Sequence, residues 1–169
     1  MSIYGTVEEA DKYHAARGRA DWAGLSEEQK HQTLISGAVY VDGEYVARIN
    51  GQLSSYEQER AWPRVGATTC DGVAIPDDVT PQGWREASFE AAYLESKTPG
   101  ILAPNEDRSV VLTEKTIGPM TKKFKAVSDG SSSGKYFGAI EQAVARFLQP
   151  ETTATADDSA HYGGSAFWV

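Results

Sequence analysis

Few residues of this chain have types and spacings that could do chemistry. Gly130-Ser131-Ser132-Ser133-Gly134-Lys135 has the outline of a phosphate-cradling loop. It departs from that motif at two points: three residues separate its glycines instead of four, and Tyr136 stands where a Ser or Thr would hold magnesium. The residues before it do not read as a buried parallel strand, so a plain linker is expected. His14, His31 and His161 are far apart and share no metal-site spacing with Cys or carboxylates. His14 and His31 fall on predicted helices and are expected to be partly exposed. Cys70 has no C-x-x-C partner, and a nucleophile needs a base and an orienting group that the sequence does not supply. Asp77-Asp78 lack the ligand spacing of a calcium loop and read as a solvated turn. No catalytic, cofactor or metal site is expected, and the chain is not expected to be an enzyme.

What remains is the chemistry of recognition. Lys115, Lys122, Lys123 and Lys125 concentrate four positive charges on a predicted hairpin. They suit contact with an acidic neighbour, a copy of this chain included, or with phosphate; lysines also keep edge strands soluble. Phe167-Trp168-Val169 ends a polar tail, where three apolar side chains gain nothing in water. They are expected to insert into a partner rather than fold back, Trp being favoured at interface hot spots. Ala61-Trp62-Pro63-Arg64-Val65-Gly66 lies in an irregular stretch that continues through Ile75-Pro76-Asp77-Asp78-Val79. A long loop within a small domain usually has a job or is disordered, and its Trp and prolines argue against disorder. Trp62, Pro63 and Arg64 are expected to anchor it, the Trp62 ring pinning the loop to a helical core.

The elements that must position these residues are mainly helical. Thr6 and Glu9 form a capping box that opens a helix near 6–17, with Val7, Ala10, Tyr13, His14 and Arg17 at helical spacing and Gly18 as its stop. Residues 20–25 read as a turn. Ser26 and Gln29 form a second capping box, and a helix over about 27–46 buries Leu34, Ile35, Ala38, Val39 and Val46, weakened by Gly37 and Gly43. Thr80 as N-cap and Pro81 at the first helical position start a helix ending near Lys97, with Trp84, Ala87, Ala91 and Leu94 on one face and the small Ser88 on its flank. Ser109–Thr113 and Thr121–Val127 read as the strands of a hairpin about Ile117-Gly118-Pro119-Met120. Residues 128–134 are a flexible link. A last helix runs from Tyr136 to Leu148, with Phe137, Ile140, Val144, Phe147 and Leu148 as its core face. The expected fold is mainly α: a small bundle of about four helices with a long irregular loop, a β-hairpin arm and an extended C-terminal tail. The division is a helical domain over 1–150, with loop 48–80 and arm 108–127, and a tail over 151–169.

Composition sets outer bounds. The 169 residues suit one domain, and 16 glycines with 7 prolines indicate much irregular structure. Net charge is −8, and only residues 101–150 carry an excess of bases, +2. Such a chain repels phosphate backbones at long range, yet suits a channel wall along which DNA slides without sticking. One cysteine forms no internal disulfide, and no stretch approaches a membrane span, so a soluble protein made in a cytoplasm is expected.

Taken in order, Tyr4-Gly5-Thr6 with its helix, Trp22-Ala23-Gly24-Leu25-Ser26, Ala61-Trp62-Pro63-Arg64-Val65-Gly66-Ala67, Asp71-Gly72, Ile75-Pro76, the Pro81-started helix, the Ile117-Gly118-Pro119 hairpin and the closing helix resemble a known group. Over about residues 3–150 the chain resembles the small helical head–tail connector (adaptor) proteins of tailed bacteriophages. That resemblance implies a structural virion protein, assembled in the host cytoplasm. It implies a commonly dodecameric ring docked on the portal protein at the capsid vertex. Such a ring carries the next neck or tail protein and passes DNA through its lumen without reading sequence; no membrane is involved. In that family C-terminal segments often engage the portal, which gives Phe167, Trp168 and Val169 that role here. Lys115, Lys122, Lys123 and Lys125 become an inter-subunit arm. Similar phage proteins are labelled DnaT-like single-stranded-DNA-binding, and a replication accessory is the alternative. Against it stand the acidic charge and aromatics not interleaved with Arg and Lys, as a stacking groove requires.

Overall fold

A computed structural model describes residues 2–103, 114–117, 120–123 and 137–150. The fold is mainly α, as expected. Helix α1 (Val7–Ala16) begins on the Thr6–Glu9 capping box, both reciprocal bonds being formed. A one-turn helix α2 (Ala20–Ala23) occupies the expected turn and buries Trp22. Helix α3 (Glu27–Tyr45) begins on the Ser26–Gln29 box and passes into a 3-10 turn over Val46–Arg48.

Helix α4 (Gln82–Lys97) starts one residue later than the sequence suggests. Pro81 is the N-cap, with an extended ψ of 139°, and Thr80 makes no cap bond there. The Pro81 carbonyl takes the first helical bonds, from the N–H groups of Trp84 and Arg85. A residue without an N–H thus loses nothing at this boundary. Helix α5 (Gly138–Val144) is shorter than expected and tightens into a 3-10 turn over Ala145–Phe147.

Two hydrophobic clusters meet on α4. One gathers Ala38, Val41, Tyr45, Trp62, Trp84, Ala87, Ala91, Ile140 and Val144. The other gathers Ala10, Trp22, Leu34, Phe89 and Ala92. Lying between them, α4 is buried on two faces, so Ser88, Phe89, Glu90 and Ala92 are buried as well as Trp84, Ala87 and Ala91 of the expected stripe, whose Leu94 is half-buried. On α3 the buried stripe is Leu34, Gly37, Ala38, Val41 and Tyr45. Val39 and Val46, expected inside, are 50% and 41% exposed. The stripe sits one position away from the reading that includes Ile35, because Gly37 rather than a larger residue faces α4.

That glycine has a packing reason. A Cβ on Gly37 would lie 2.4 Å from the Ser88 carbonyl oxygen and 2.7 Å from the Ala92 nitrogen. The α3 and α4 backbones therefore touch where Gly37, Ser88 and Ala92 meet. Helix propensity alone favours Gly37→Ala by about 1 kcal/mol. Backbone atoms cannot swing aside as a side chain can, so the overpacking cost of about 1–3 kcal/mol dominates. Gly37→Ala is expected to lower the urea midpoint; a raised midpoint would show that the helices part freely here.

The irregular stretch from Ile49 to Thr80 carries a short antiparallel ladder that the sequence reading leaves as loop. Strand β1 (Gln52–Leu53) pairs with β2 (Arg64–Val65). A second antiparallel pair forms the arm, β3 (Glu114–Ile117) with β4 (Met120–Lys123). A hairpin is thus present, with its ladder beginning at Glu114; residues 109–113 and 124–127, read as strand, lie outside the described residues. So do the 128–136 segment, with its Gly130–Lys135 motif, and the 151–169 tail. No helix among the described residues is long and apolar enough to cross a membrane.

Candidate functional site

The long loop is held in shape from beneath. Trp62 is 2% exposed and packs edge-on against Trp84, with centroids 5.9 Å apart, and against Phe147 at 6.3 Å. Beside it, Asp42 of α3 collects donors from three other segments. Its Oδ1 accepts from the Tyr4 hydroxyl at 2.6 Å and from Trp84 Nε1 at 3.2 Å. Its Oδ2 accepts from the Ala61 N–H at 3.3 Å and pairs with the Arg60 guanidinium at 3.5 Å. The Tyr4 oxygen in turn accepts from the Trp62 N–H at 3.2 Å. Burial first, then the Asp42 charge, pushes the Tyr4 hydroxyl far above its ordinary pKa. It stays a donor at all working pH values, and one carboxylate joins the N-terminal segment, α3, the loop and α4.

Arg64 anchors the loop differently. It is buried and faces carbonyl oxygens, donating to Asn50 at 2.7 Å, Gly51 at 2.6 Å and Ala61 at 3.4 Å. Burial lowers its pKa, and the fan of carbonyls satisfies its donors. Pro63 is half-buried, follows a cis Trp62–Pro63 bond, and its carbonyl accepts from Gln58 Nε2 at 2.9 Å. Gly51 has φ +75°, and a Cβ there would meet the Val65 oxygen at 2.8 Å, so the loop closes where only glycine fits. Asn50 bonds Thr68 through both side-chain atoms, and the Gly66 N–H donates to Asp77 at 2.9 Å. Asp77 thus braces the turn rather than facing a cation.

Five large hydrophobic side chains of this braced loop are exposed. Leu53, Tyr56, Val65, Val73 and Val79 are all at least 42% exposed, Tyr56 at 91%. Apart from Val39 and Val46, these are the large exposed hydrophobics among the described residues. Cys70 lies exposed in the same loop, its N–H donating to the Arg146 carbonyl.

A second polar cluster sits between α1, α2 and α4. His14, expected to be partly exposed, is fully buried, with its ring 4.3 Å from that of Trp22 and 5.5 Å from that of Tyr93. Its Nδ1 stands 3.2 Å from an Arg19 nitrogen. A guanidinium only donates, so Nδ1 accepts and Nε2 carries the proton. Burial first, then the Arg19 charge, lowers the His14 pKa to about 4. Glu90, 4% exposed, accepts from Tyr13 and pairs with Arg17 and Arg19. Arg17 also lies 3.7 Å over the Tyr13 ring and Arg19 4.2 Å over Tyr93. This arrangement keeps imidazole neutral and packed in the core. His31 is exposed on α3, and His161 lies outside the described residues.

Several arginines of the described body are paired, some inside and some at the surface: Arg19, Arg60 and Arg64 are largely covered, whereas the Arg17 side chain is 45% exposed, that of Arg85 34%, and Arg146 is exposed. Arg17 and Arg19 face Glu90, Arg60 faces Asp42, Arg85 faces Glu9, and Arg64 faces carbonyls. Trp22, Trp62 and Trp84 are each at most 2% exposed. No cluster of His, Cys, Asp and Glu that could hold a metal ion is present among the described residues. On the arm, Lys115 and Lys122 are direct register partners and Glu114 faces Lys123. Lys125 and Phe167, Trp168 and Val169 lie outside the described residues. Asp42 and Glu90 escape the sequence reading, although Asp42 falls between Val41 and Tyr45 on the buried stripe. A carboxylate at such a position is the signal that could have found it.

A family model described as "Putative DnaT-like ssDNA binding protein" matches residues 2–161. No curated protein and no solved structure matches the chain. The match spans nearly the whole sequence, and the chain belongs to this family.

Proposed function

We propose that this family member is a non-catalytic head–tail connector of a tailed bacteriophage, forming a ring on the portal and carrying the next neck or tail protein. The observation that carries the reading is the loop over 49–80: fixed from within by Trp62, Asp42 and Arg64, it presents Leu53, Tyr56, Val65, Val73 and Val79 outward. A preformed apolar surface binds another protein at low ordering cost. The sequence resemblance to adaptor proteins supports the same assignment. So does the net charge of −8, which suits a lumen that DNA must traverse.

The family description favours a second reading, a single-stranded-DNA-binding accessory. Binding a strand takes exposed aromatics and free cations along a groove. The described body buries Trp22, Trp62 and Trp84, so none of them is free to stack on bases; a strand would meet the exposed Lys12, Arg17, Lys97 and Arg146 of the body and the lysine arm.

Co-sedimentation with assembled portal rings tests the connector reading, using the full chain, a chain ending at Pro150 and a Val73→Asp variant. The full chain is expected to sediment with the rings. Loss with the shortened chain assigns the contact to Phe167-Trp168-Val169, and loss with Val73→Asp assigns it to the loop. If the full chain stays in solution but binds a single-stranded oligonucleotide with steep salt dependence, the accessory reading replaces this one.

A further inference from the structure

Beyond the loop, one apolar face of the body has no partner among the described residues. Ile35 and Val39 lie on the outer side of α3, and Val46 continues the same side one element later. With Tyr40, Leu102 and Ala103, the first two line a groove of about 360 Å³. Val39 is 50% exposed and Val46 41%. The rim is acidic: Glu95 lines the groove, and Glu44 and Glu141 lie near Tyr40. No Lys or Arg lines it.

The β3–β4 arm has the complementary chemistry. Its ladder ends at the apolar pair Ile117 and Met120, and behind them stand Lys115 opposite Lys122 and Glu114 opposite Lys123. Like charges directly opposite each other destabilise a ladder, and an isolated two-stranded hairpin is marginal in water. Among the described elements, each arm strand packs substantially only on the other. The arm is also rooted at the groove. The segment that carries the arm leaves the body after Ala103, a lining residue, and rejoins it at Phe137, which packs 5.8 Å from the Tyr40 ring.

We propose that the arm of one copy seats its Ile117–Met120 end in the α3 groove of a second copy, with Lys115, Lys122 and Lys123 against the carboxylate rim. Groove and arm are different surfaces of one molecule, so an arm passed on to the next copy without a return makes a head-to-tail contact, the type that closes into a ring, whereas reciprocal exchange gives a two-fold dimer. The proposal rests on the ring-forming reading above and names the contact that builds the ring. It also gives the arm lysines a destination other than nucleic acid.

Disulfide trapping in a Cys70→Ser background tests it. One protein carries Val39→Cys, another carries Met120→Cys and a fused tag that separates the mixed product by size. Oxidation of the mixture at high protein concentration is expected to give the mixed dimer. A Val73→Cys protein in place of Val39→Cys is expected to give none. Val39→Asp, at an exposed position, is expected to abolish self-association in sedimentation velocity with an unchanged circular dichroism spectrum. The proposal is overturned if the mixture gives no mixed dimer. It is equally overturned if a chain carrying both cysteines links only within itself, which would place the arm on its own groove. Portal co-sedimentation run in parallel keeps the two readings apart: portal binding without the mixed dimer removes this contact and leaves the connector role standing.

Discussion

Trp62→Ala is expected to lower stability by about 3–5 kcal/mol, the cost of deleting a fully buried large ring. The ring fills the space between Trp84 and Phe147, at 5.9 and 6.3 Å between centroids. Its removal therefore opens a cavity between those rings, beside the point where α4 meets the C-terminal helical segment at Gly83, Ala143 and Phe147. Trp62 Nε1 is buried with no hydrogen-bond partner, so the ring acts through packing. Trp62→Phe, which discards that orphan donor and keeps an aromatic body, is expected to cost markedly less. Urea denaturation of the three proteins measures both differences. A midpoint unchanged in Trp62→Ala would show that the loop holds its shape without the ring.

The second large effect is acid lability from His14. Its pKa is about 4 in the folded protein, against an ordinary value near 6.5. Above pH 6.5 both folded and unfolded chains hold neutral imidazole, and His14 adds no pH dependence. Between pH 6.5 and 4 the unfolded chain takes a proton that the native chain refuses. Stability therefore falls with pH across that window, by about 1.4 kcal/mol per unit and about 3 kcal/mol in all. Arg19 and Arg17 disfavour the imidazolium, while Glu90 and Asp11 oppose them more weakly than burial and the arginines act. His14→Gln keeps an acceptor for Arg19 and stays neutral throughout. The difference in stability between wild type and His14→Gln is expected to shrink or reverse in favour of the variant as pH falls from 6.5 to 4. Carboxylate titration is common to both proteins and cancels. Parallel pH profiles for the two would show that His14 is not the acid-sensitive group.

Local signals in this sequence were legible where the cause is itself local. Both capping boxes form as written, because each needs only four consecutive residues. The stripe on α3 was misplaced by one position, since its inner face is set by the close approach of α4 at Gly37, a tertiary fact. The same cause exposes Val39 and Val46. His14 was placed on the right face of α1, but its depth depends on Trp22 and Tyr93, which arrive from two other helices. Asp42 and Arg64 are polar residues whose partners lie far along the chain or in irregular backbone, and no periodicity encodes such pairs. The β1–β2 ladder is two residues long, below what alternation can reveal. Of the candidate contacts, the anchor Trp62-Pro63-Arg64 could be followed into the structure atom by atom. Of the lysine arm, the structure gives the backbone register.

The hub at Asp42 has a consequence for the order in which this molecule takes shape during synthesis. Its donors come from Tyr4, Arg60, Ala61 and Trp84, and the neighbouring Trp62 rests on Trp84 and Phe147. A nascent chain that has already emerged with Tyr56 and Val73 still lacks the residues that give their loop its form. The support beneath the outward face is thus completed only after its own residues are made, when Trp84 and Phe147 arrive. Products that stop before α5 carry the Asp42 hub and the Arg64 anchor but lack Phe147 against the Trp62 ring and the Arg146 carbonyl that accepts from Cys70. On the connector reading proposed above, chains that end before α5 are expected to enter a ring less readily than chains that contain it.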